Sequence, residues 1–479
     1  MSDLKAKIGL EIHLELQTKT KLFCSCRNDP EESAPNVNIC PVCTGQPGVL
    51  PVINKQAVIY ACSLAKALKM KINQKSFFAR KHYFYPDLPK NYQISQYELP
   101  LAINGEALVI TEDINKKIRI RRLHLEEDTA SNIHKENYSL VNFNRAGVPL
   151  VEIVTEPDFN SALEVENFCE HLVLLIRSLG ISGAEAEKGE IRFEANISVG
   201  KGDELGVKTE IKNVAKIQSL KEAINYEIER QIDCISKGEK IIQETRGWDE
   251  IRKITFSQRQ KEEAEDYRYF PEPDLPPLVI NEEIINDLIE VETPWDKKIR
   301  FIKEYDLGFY EVNILIKNQG LADFFEESFS ELVESISDKE TSKKLIINYL
   351  INDILGLIQK YNLKLTLDKI TPHEFAHLMK NFYFNKISSK IVKEILERAI
   401  KGEGKIEDIL RKKEKITDVE LLSSMIEEII KENPKTVDDY RSGKKESFEY
   451  LIGQLMKKTE GRADPQLIRQ LIKDKLQFY

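Results

Sequence analysis

Carboxylates and histidines set inside apolar, strand-like runs are the residues of this sequence best placed to do chemistry. In Ile8-Gly9-Leu10-Glu11-Ile12-His13-Leu14-Glu15-Leu16 the alternation has period two. Leu10, Ile12, Leu14 and Leu16 therefore share one strand face, and Glu11, His13 and Glu15 share the other. A second run is Leu123-His124-Leu125-Glu126-Glu127-Asp128, and a third is Pro149-Leu150-Val151-Glu152-Ile153-Val154-Thr155-Glu156. A carboxylate inside Leu-Val-Glu-Ile-Val is costly to bury unless a proton, a cation or a metal compensates it. Solvated strand faces account for Glu15, Glu126 and Glu156, whereas the run around Glu152 reads as buried on both faces. Oxygen-rich sets with one imidazole suit Mg²⁺ or Mn²⁺, the cations a nucleotide-using enzyme needs.

A second constellation is sulfur-based. Cys24-Ser25-Cys26 and Cys40-Pro41-Val42-Cys43 are two close pairs separated by a loop, the pattern of a four-thiolate zinc knuckle. With all four positions filled by protein, such a site is closed, hence structural. Two further patterns carry less. His373-Glu374-Phe375-Ala376-His377 matches the H-E-x-x-H of zinc proteases, but Thr371-Pro372 reads as a helix cap that puts His373 and Glu374 in the first turn. Gly200-Lys201-Gly202 has the wrong glycine spacing for a dinucleotide loop and reads as a hairpin turn, and there is no Walker A motif.

The elements that must position these residues follow from composition. The chain has 479 residues, enough for two to four domains, with 31% charged residues and a net charge of −9. That balance excludes a globally basic nucleic-acid binder but leaves local patches, Lys116 to Arg122 and the last turns of the chain. Seven cysteines, an odd number, argue against a disulfide framework. No run approaches the roughly 18 apolar residues of a membrane span, and Met1 to Lys7 has no apolar leader core, so the expected compartment is the cytoplasm, with no membrane partner. Fifteen of 18 prolines and all seven cysteines lie at or before Pro294. The sequence beyond has helical spacing, and Gly402 and Gly404 interrupt it once. The expected fold is α+β: a strand-rich domain over 1–293, a helical domain over 294–404 and a small helical tail over 405–479.

Six blocks resemble one family closely. They are Ile8 to Leu16, Phe78 to Pro89, Tyr92 to Gln96, Leu123 to Asp128, Asn144 to Asp158 and Asp266 to Pro277. They are similar to the signature blocks of the B subunit of the aspartyl/glutamyl-tRNA(Asn/Gln) amidotransferase, and Leu451 to Lys457 with Gly461 to Pro465 resembles that family's tRNA-binding tail. The resemblance implies an antiparallel-sheet catalytic domain like that of glutamine synthetase and guanido kinases. It implies a ligase in which ATP phosphorylates the side-chain carboxylate of Glu-tRNA(Gln) or Asp-tRNA(Asn), after which ammonia displaces phosphate. Carried over by position, His13, Glu127 and Glu152 are the implied Mg²⁺ ligands with Glu11 beside them, and Glu127 and Lys81 line the ammonia route. Structural Zn²⁺ falls to Cys24, Cys26, Cys40 and Cys43, and tRNA contacts to Lys457, Lys458, Arg462 and Arg469. The implied partners are the amidase (glutaminase) A subunit, the small C subunit, and mischarged tRNA, with the three proteins forming a heterotrimer. The chain departs from the family pattern at Glu194-Ala195-Asn196, where Asp-Ala-Asn is common, at Lys212 to Ile217, and at Asp464. A non-enzymatic zinc-knuckle RNA-binding protein is the competing reading, and it leaves the buried acids without a purpose.

Overall fold

The computed structural model describes residues 4–32, 34–214, 216–260, 267–363, 369–413, 418–459 and 463–478. Two compact units divide the chain, Met1–Phe301 and Ile302–Tyr479. The α+β expectation holds. A large sheet occupies the first unit, and helices build the second.

The sheet has nine strands. Its spatial order is Ile254–Gln260, Glu244–Asp249, Thr209–Val214, Ile191–Lys201, Leu4–Glu15, Pro149–Thr155, Asn115–Glu127, Ala102–Ile110 and Lys71–Ile72. All neighbours run antiparallel except the Thr209–Val214 and Glu244–Asp249 pair. Leu4–Glu15 is central because both of its edges are used. Ile12 sits opposite Ile153 on one side and Phe193 on the other; His13 sits opposite Glu152 and Arg192. Residues directly opposite one another share a face, so the alternation in one strand propagates across the sheet. Leu10, Ile12, Leu14, Leu123, Leu125, Val151, Ile153 and Ala195 are all buried and form the apolar face.

Helices Lys55–Ala67, Ala162–Ser178 and Ile217–Lys237 pack against the sheet. Local signals start them: Asn54 caps the first through Gln56 and Ala57 N–H, and Ser161 caps the second through Glu164 N–H. A separate small sheet of Ala79–His82, Tyr92–Ser95 and Phe270–Pro271 packs through Tyr92–Ser95 on the strand Asn115–Glu127. Gly202 has φ of +56°, and the chain from Lys201 to Lys208 returns antiparallel, as the hairpin reading expects.

In the second unit Thr371 caps Pro372–Tyr383 in a reciprocal capping box with Glu374. That box consumes the glutamate of the H-E-x-x-H pattern, while His373 Nδ1 lies 2.7 Å from Glu331 and His377 is exposed. Helix Ile406–Lys413 packs on Pro372–Tyr383 and Ser389–Lys401. Val419–Glu432, Pro434–Arg441, Lys445–Lys458 and Pro465–Phe478 build a core of their own around Leu422, Ile426, Leu451, Leu455 and Ile468. Among the described residues no helix is long and apolar enough to cross a membrane.

Candidate active site and metal centre

The face of the sheet opposite the apolar one carries the charge. His13 Nε2 lies 3.6 Å from Glu152 Oε2 and 3.7 Å from Glu126 Oε1. His124 Nε2 lies 3.3 Å from Glu152 and 3.5 Å from Glu126, so two imidazoles and two carboxylates share one pocket. Arg122 Nη2 reaches Glu152 at 3.4 Å, and Ser95 Oγ donates to Glu126 at 3.1 Å. Glu126, Glu152 and His124 are buried; His13 keeps a partly open edge.

The register explains the grouping. Glu152 is the cross-strand partner of His13 and of His124, and Glu126 follows His124 by two residues on the same face. Burial opposes charge throughout the pocket, and the neighbours override it. Glu152 and Glu126 raise the pKa of His13 above the ordinary imidazole value against burial, and raise that of His124 to about 9. Against the same burial, His124 and His13 hold Glu152 well below the usual carboxylate range, and His124 lowers Glu126. His124 Nδ1 is buried without a hydrogen-bond partner.

The sequence expectation groups Glu127 with His13 and Glu152, and the structure brings a different side chain to them. The carboxylate that joins His13 and Glu152 is Glu126, not Glu127. Glu127 pairs across the strands with Pro149 and belongs to the face of Leu125. Its carboxylate takes Lys90 Nζ at 2.6 Å and Ile94 N–H at 2.9 Å. It lines a cleft of about 220 Å³ with Lys90, Tyr92, Cys24 and Cys43. Lys81 is also on the other side of that division, close enough to Glu126 to help lower its pKa after burial and His124 have acted.

A second oxygen cluster adjoins the first. Glu11, Glu194 and Glu210 bring one carboxylate oxygen each within 4.8 Å of the others. Lys212 Nζ lies 2.8 Å from Glu194 and 3.3 Å from Glu210. Despite burial, these acids raise the pKa of Lys212. Asn196 Nδ2 donates to Glu11 at 2.9 Å. At the strand ends Arg145 clamps Asp128 and Glu15, each at 2.5 Å, and Arg192 adds 3.4 Å to Asp128. Glu126, His124, Arg122, Glu210, Arg145 and Arg192 are the participants that sequence reasoning missed. The alternation around His124 was the available signal for the first three.

The sulfur atoms of Cys24, Cys26, Cys40 and Cys43 also lie within 4.8 Å of one another. Lys21, fully buried, directs Nζ at Cys43 Sγ at 3.7 Å. Hydrogen bonding from Cys24, against burial and aided by Lys21, lowers the Cys43 pKa to about 5. Buried Asn144 fastens the intervening loop, accepting from Val37 N–H at 2.9 Å and Asn38 N–H at 3.0 Å and donating to Ala34 O at 2.8 Å. Four converging thiols are the donor set of a closed tetrahedral metal site.

The cations expected to meet RNA are distributed as follows. Lys457 and Lys458 are exposed on helix Lys445–Lys458; Lys458 reaches Glu428 at 2.7 Å and Arg469 forms a bidentate pair with Glu449. Arg462 lies outside the described residues. The basic strand is spent internally: Lys117 pairs with Glu106, Arg119 with Asp158 and Arg121 with Glu156.

The sheet thus has helices on its apolar face and acids, imidazoles and a half-buried lysine clustered on the other. Residues 6–286 match the GatB/GatE catalytic domain and residues 329–476 the GatB domain. The chain is 43% identical to the aspartyl/glutamyl-tRNA(Asn/Gln) amidotransferase B subunit of Carboxydothermus hydrogenoformans, over 99% of each chain. It is 43% identical to that of Thermotoga petrophila and 42% to that of Persephonella marina, over 98% of each chain. The chain therefore belongs to the family of aspartyl/glutamyl-tRNA(Asn/Gln) amidotransferase B subunits. Nothing supports the non-enzymatic RNA-binding alternative over this one.

Proposed function

We propose that this chain activates the side-chain carboxylate of a glutamate or aspartate esterified to tRNA, using ATP, and passes it to ammonia for amidation. The convergence of His13, Glu126 and Glu152 on one strand face carries the reading. The two carboxylates are the kind of ligand Mg²⁺ takes, and His13 adds one imidazole beside them. Their fit is supported by the compensation these acids already need, from two imidazoles for both and from Arg122 for Glu152. When bound, Mg²⁺ orients the triphosphate and offsets its charge during phosphoryl transfer. His13, Glu126 and Glu152 hold it, Glu11 with Glu194 and Glu210 offers further oxygens, and Lys212 and Lys81 supply positive charge for phosphate or carboxylate groups. Glu127, paired with Lys90, lines a cleft on the other side of its strand and is assigned to the ammonia route.

Cys24, Cys26, Cys40 and Cys43 hold a structural Zn²⁺ that pins the loop between the two pairs. Lys457, Lys458, Arg462 and Arg469 contact tRNA phosphates from the terminal helices. The partners are the amidase A subunit, which releases ammonia from glutamine, and the small C subunit, in the cytoplasm. Three functional segments, 1–293, 294–404 and 405–479, divide this work. The test is reconstitution with the amidase partner, ATP and each mischarged tRNA. Amide must form on Glu-tRNA(Gln), Asp-tRNA(Asn) or both, with ATP consumed; no amide on either ends the reading.

A further inference from the structure

An aromatic stack follows the strand Tyr92–Ser95, whose Ser95 reaches the acid and imidazole pocket, and has no task in the proposed reaction. Tyr97 and Tyr269 lie face to face, with 4.3 Å between ring centroids and 9° between planes. Tyr267 meets Tyr269 edge-on at 6.1 Å, and Tyr83 meets Tyr267 at 6.0 Å. The Lys81 ammonium lies 4.9 Å from the Tyr267 ring centroid.

The stack is tied to the pocket through the backbone that carries it. Ser95 Oγ donates to Glu126 at 3.1 Å, and Gln96 Oε1 accepts from Leu125 N–H at 3.0 Å. Tyr97 is the next residue.

Tyr269 covers one face of Tyr97, yet Tyr97 is 50% exposed. A ring that served only to latch the small sheet gains by being covered on both faces, since each covered face removes apolar area from water. A ring backed on one side, half exposed, and carried two residues from the Ser95 contact with Glu126 is instead a stacking platform. Every nucleobase offers a π face to such a ring. The Lys81 ammonium, two rings away, offers a counter-charge for a phosphate carried on the ribose of that nucleotide.

We propose that Tyr97, backed by Tyr269, stacks an adenine ring whose attached ribose and phosphate point toward His13, Glu126 and Glu152. The inference rests on the proposed function, because both substrates of that reaction carry adenine: ATP, and the 3′-terminal adenosine of tRNA. The test titrates the full-length chain with Mg·ATP, with an acceptor-stem RNA ending in CCA, and with the same RNA ending in CC. Tyr97→Leu keeps an apolar cover on Tyr269 but removes the π face; Tyr97→Phe keeps it. Tyr97→Leu is expected to weaken Mg·ATP or the CCA-ended RNA about tenfold, in the range of one lost base stack, while Tyr97→Phe stays within about twofold. A loss confined to ATP makes the nucleotide the ligand. A loss confined to the CCA-ended RNA, with the CC-ended RNA unchanged, makes it the tRNA end. Tyr269→Leu, which removes the backing ring, gives a second reading should Tyr97→Leu melt early. The platform is overturned by unchanged affinity for both ligands in the leucine variants, by an equal loss in Tyr97→Phe, or by wild type that binds neither. The proposed function fails on a different result, absence of amide formation by the wild-type complex.

Discussion

Glu126→Gln and Glu127→Gln are neighbouring substitutions of the same chemistry, and the structure gives them opposite outcomes. Glu126 faces His13 at 3.7 Å and His124 at 3.5 Å in the pocket assigned to the cation. A unit charge at that distance interacts with a unit positive charge by about 4 kcal/mol at the effective dielectric of partly buried sites. If about two-thirds of this survives the new amide's own dipole, about 2.7 kcal/mol of transition-state stabilisation is lost, or about a hundredfold in rate. Glu127→Gln removes no charge from that face. It leaves Lys90, whose side chain is 11% exposed, without its carboxylate, and breaking such a pair costs about 3–5 kcal/mol of stability. The assay pairs single-turnover amide formation, at saturating ATP and mischarged tRNA, with thermal melting of each variant. Glu126→Gln should be slow even in its folded fraction; Glu127→Gln should melt early while its folded fraction, supplied with free ammonia in place of glutamine, amidates at close to the parental rate. Normal amidation by Glu126→Gln alongside a hundredfold loss in Glu127→Gln would put the cation on the other side of the strand and refute the argument from face alternation.

Metal analysis of the purified chain should find about one zinc per chain, since four thiolates close a single tetrahedral site; removing it with a chelator should lower the melting temperature, and a zinc-free chain of unchanged stability refutes the site. Asp128→Asn should destabilise the folded chain, because Arg145 and Arg192 lose a buried partner. Burial opposes the Asp128 charge, yet these arginines depress its folded pKa below the usual aspartate value, so its contribution is present above pH about 4 and fades as pH falls through the folded value. The stability gap between parent and variant, measured by denaturant melts, should accordingly narrow in acid. Deleting residues from Val419 onward removes a set of helices with a core of its own. It should raise the KM for mischarged tRNA and flatten its salt dependence by about 0.7 to 0.9 in log–log slope for each phosphate no longer neutralised. An unchanged slope moves RNA recognition elsewhere.

The sequence made some of this legible and hid the rest for a physical reason. Alternation is local, so the shared face of Glu11, His13 and Glu15 could be read directly, and so could the burial of Glu152 among residues that are buried along the whole strand Pro149–Thr155. The cap at Thr371, the hairpin at Gly202 and the paired cysteines are equally local. Partners are not local. Arg145 meets Glu15 from 130 residues away, and Asn196 meets Glu11 from 185. Lys212 and Glu210 enter the site only because the strand Thr209–Val214 lies two places from the centre of the sheet. No pattern in the chain names such neighbours.

The place of Glu126 beside His13 and Glu152 is instructive because the information needed for it was present. In Leu123-His124-Leu125-Glu126-Glu127 two adjacent acids compete for one role, and only one of them can share a face with His124. The leucines settle which. Leu123 and Leu125 are fully buried in the apolar face, so His124 and Glu126 must point the other way and Glu127 must follow the leucines. A carboxylate following leucines at the end of a strand needs its own cation. Lys90, 37 residues away, provides it. The same rule governs the whole polar face: each buried acid there has an imidazole, guanidinium or ammonium within about 4 Å, as burial of charge requires. Glu11 departs from this pattern. It takes a hydrogen bond from the neutral Asn196, its side chain lies among two other carboxylates, and it is the acid on which an incoming cation has most to gain.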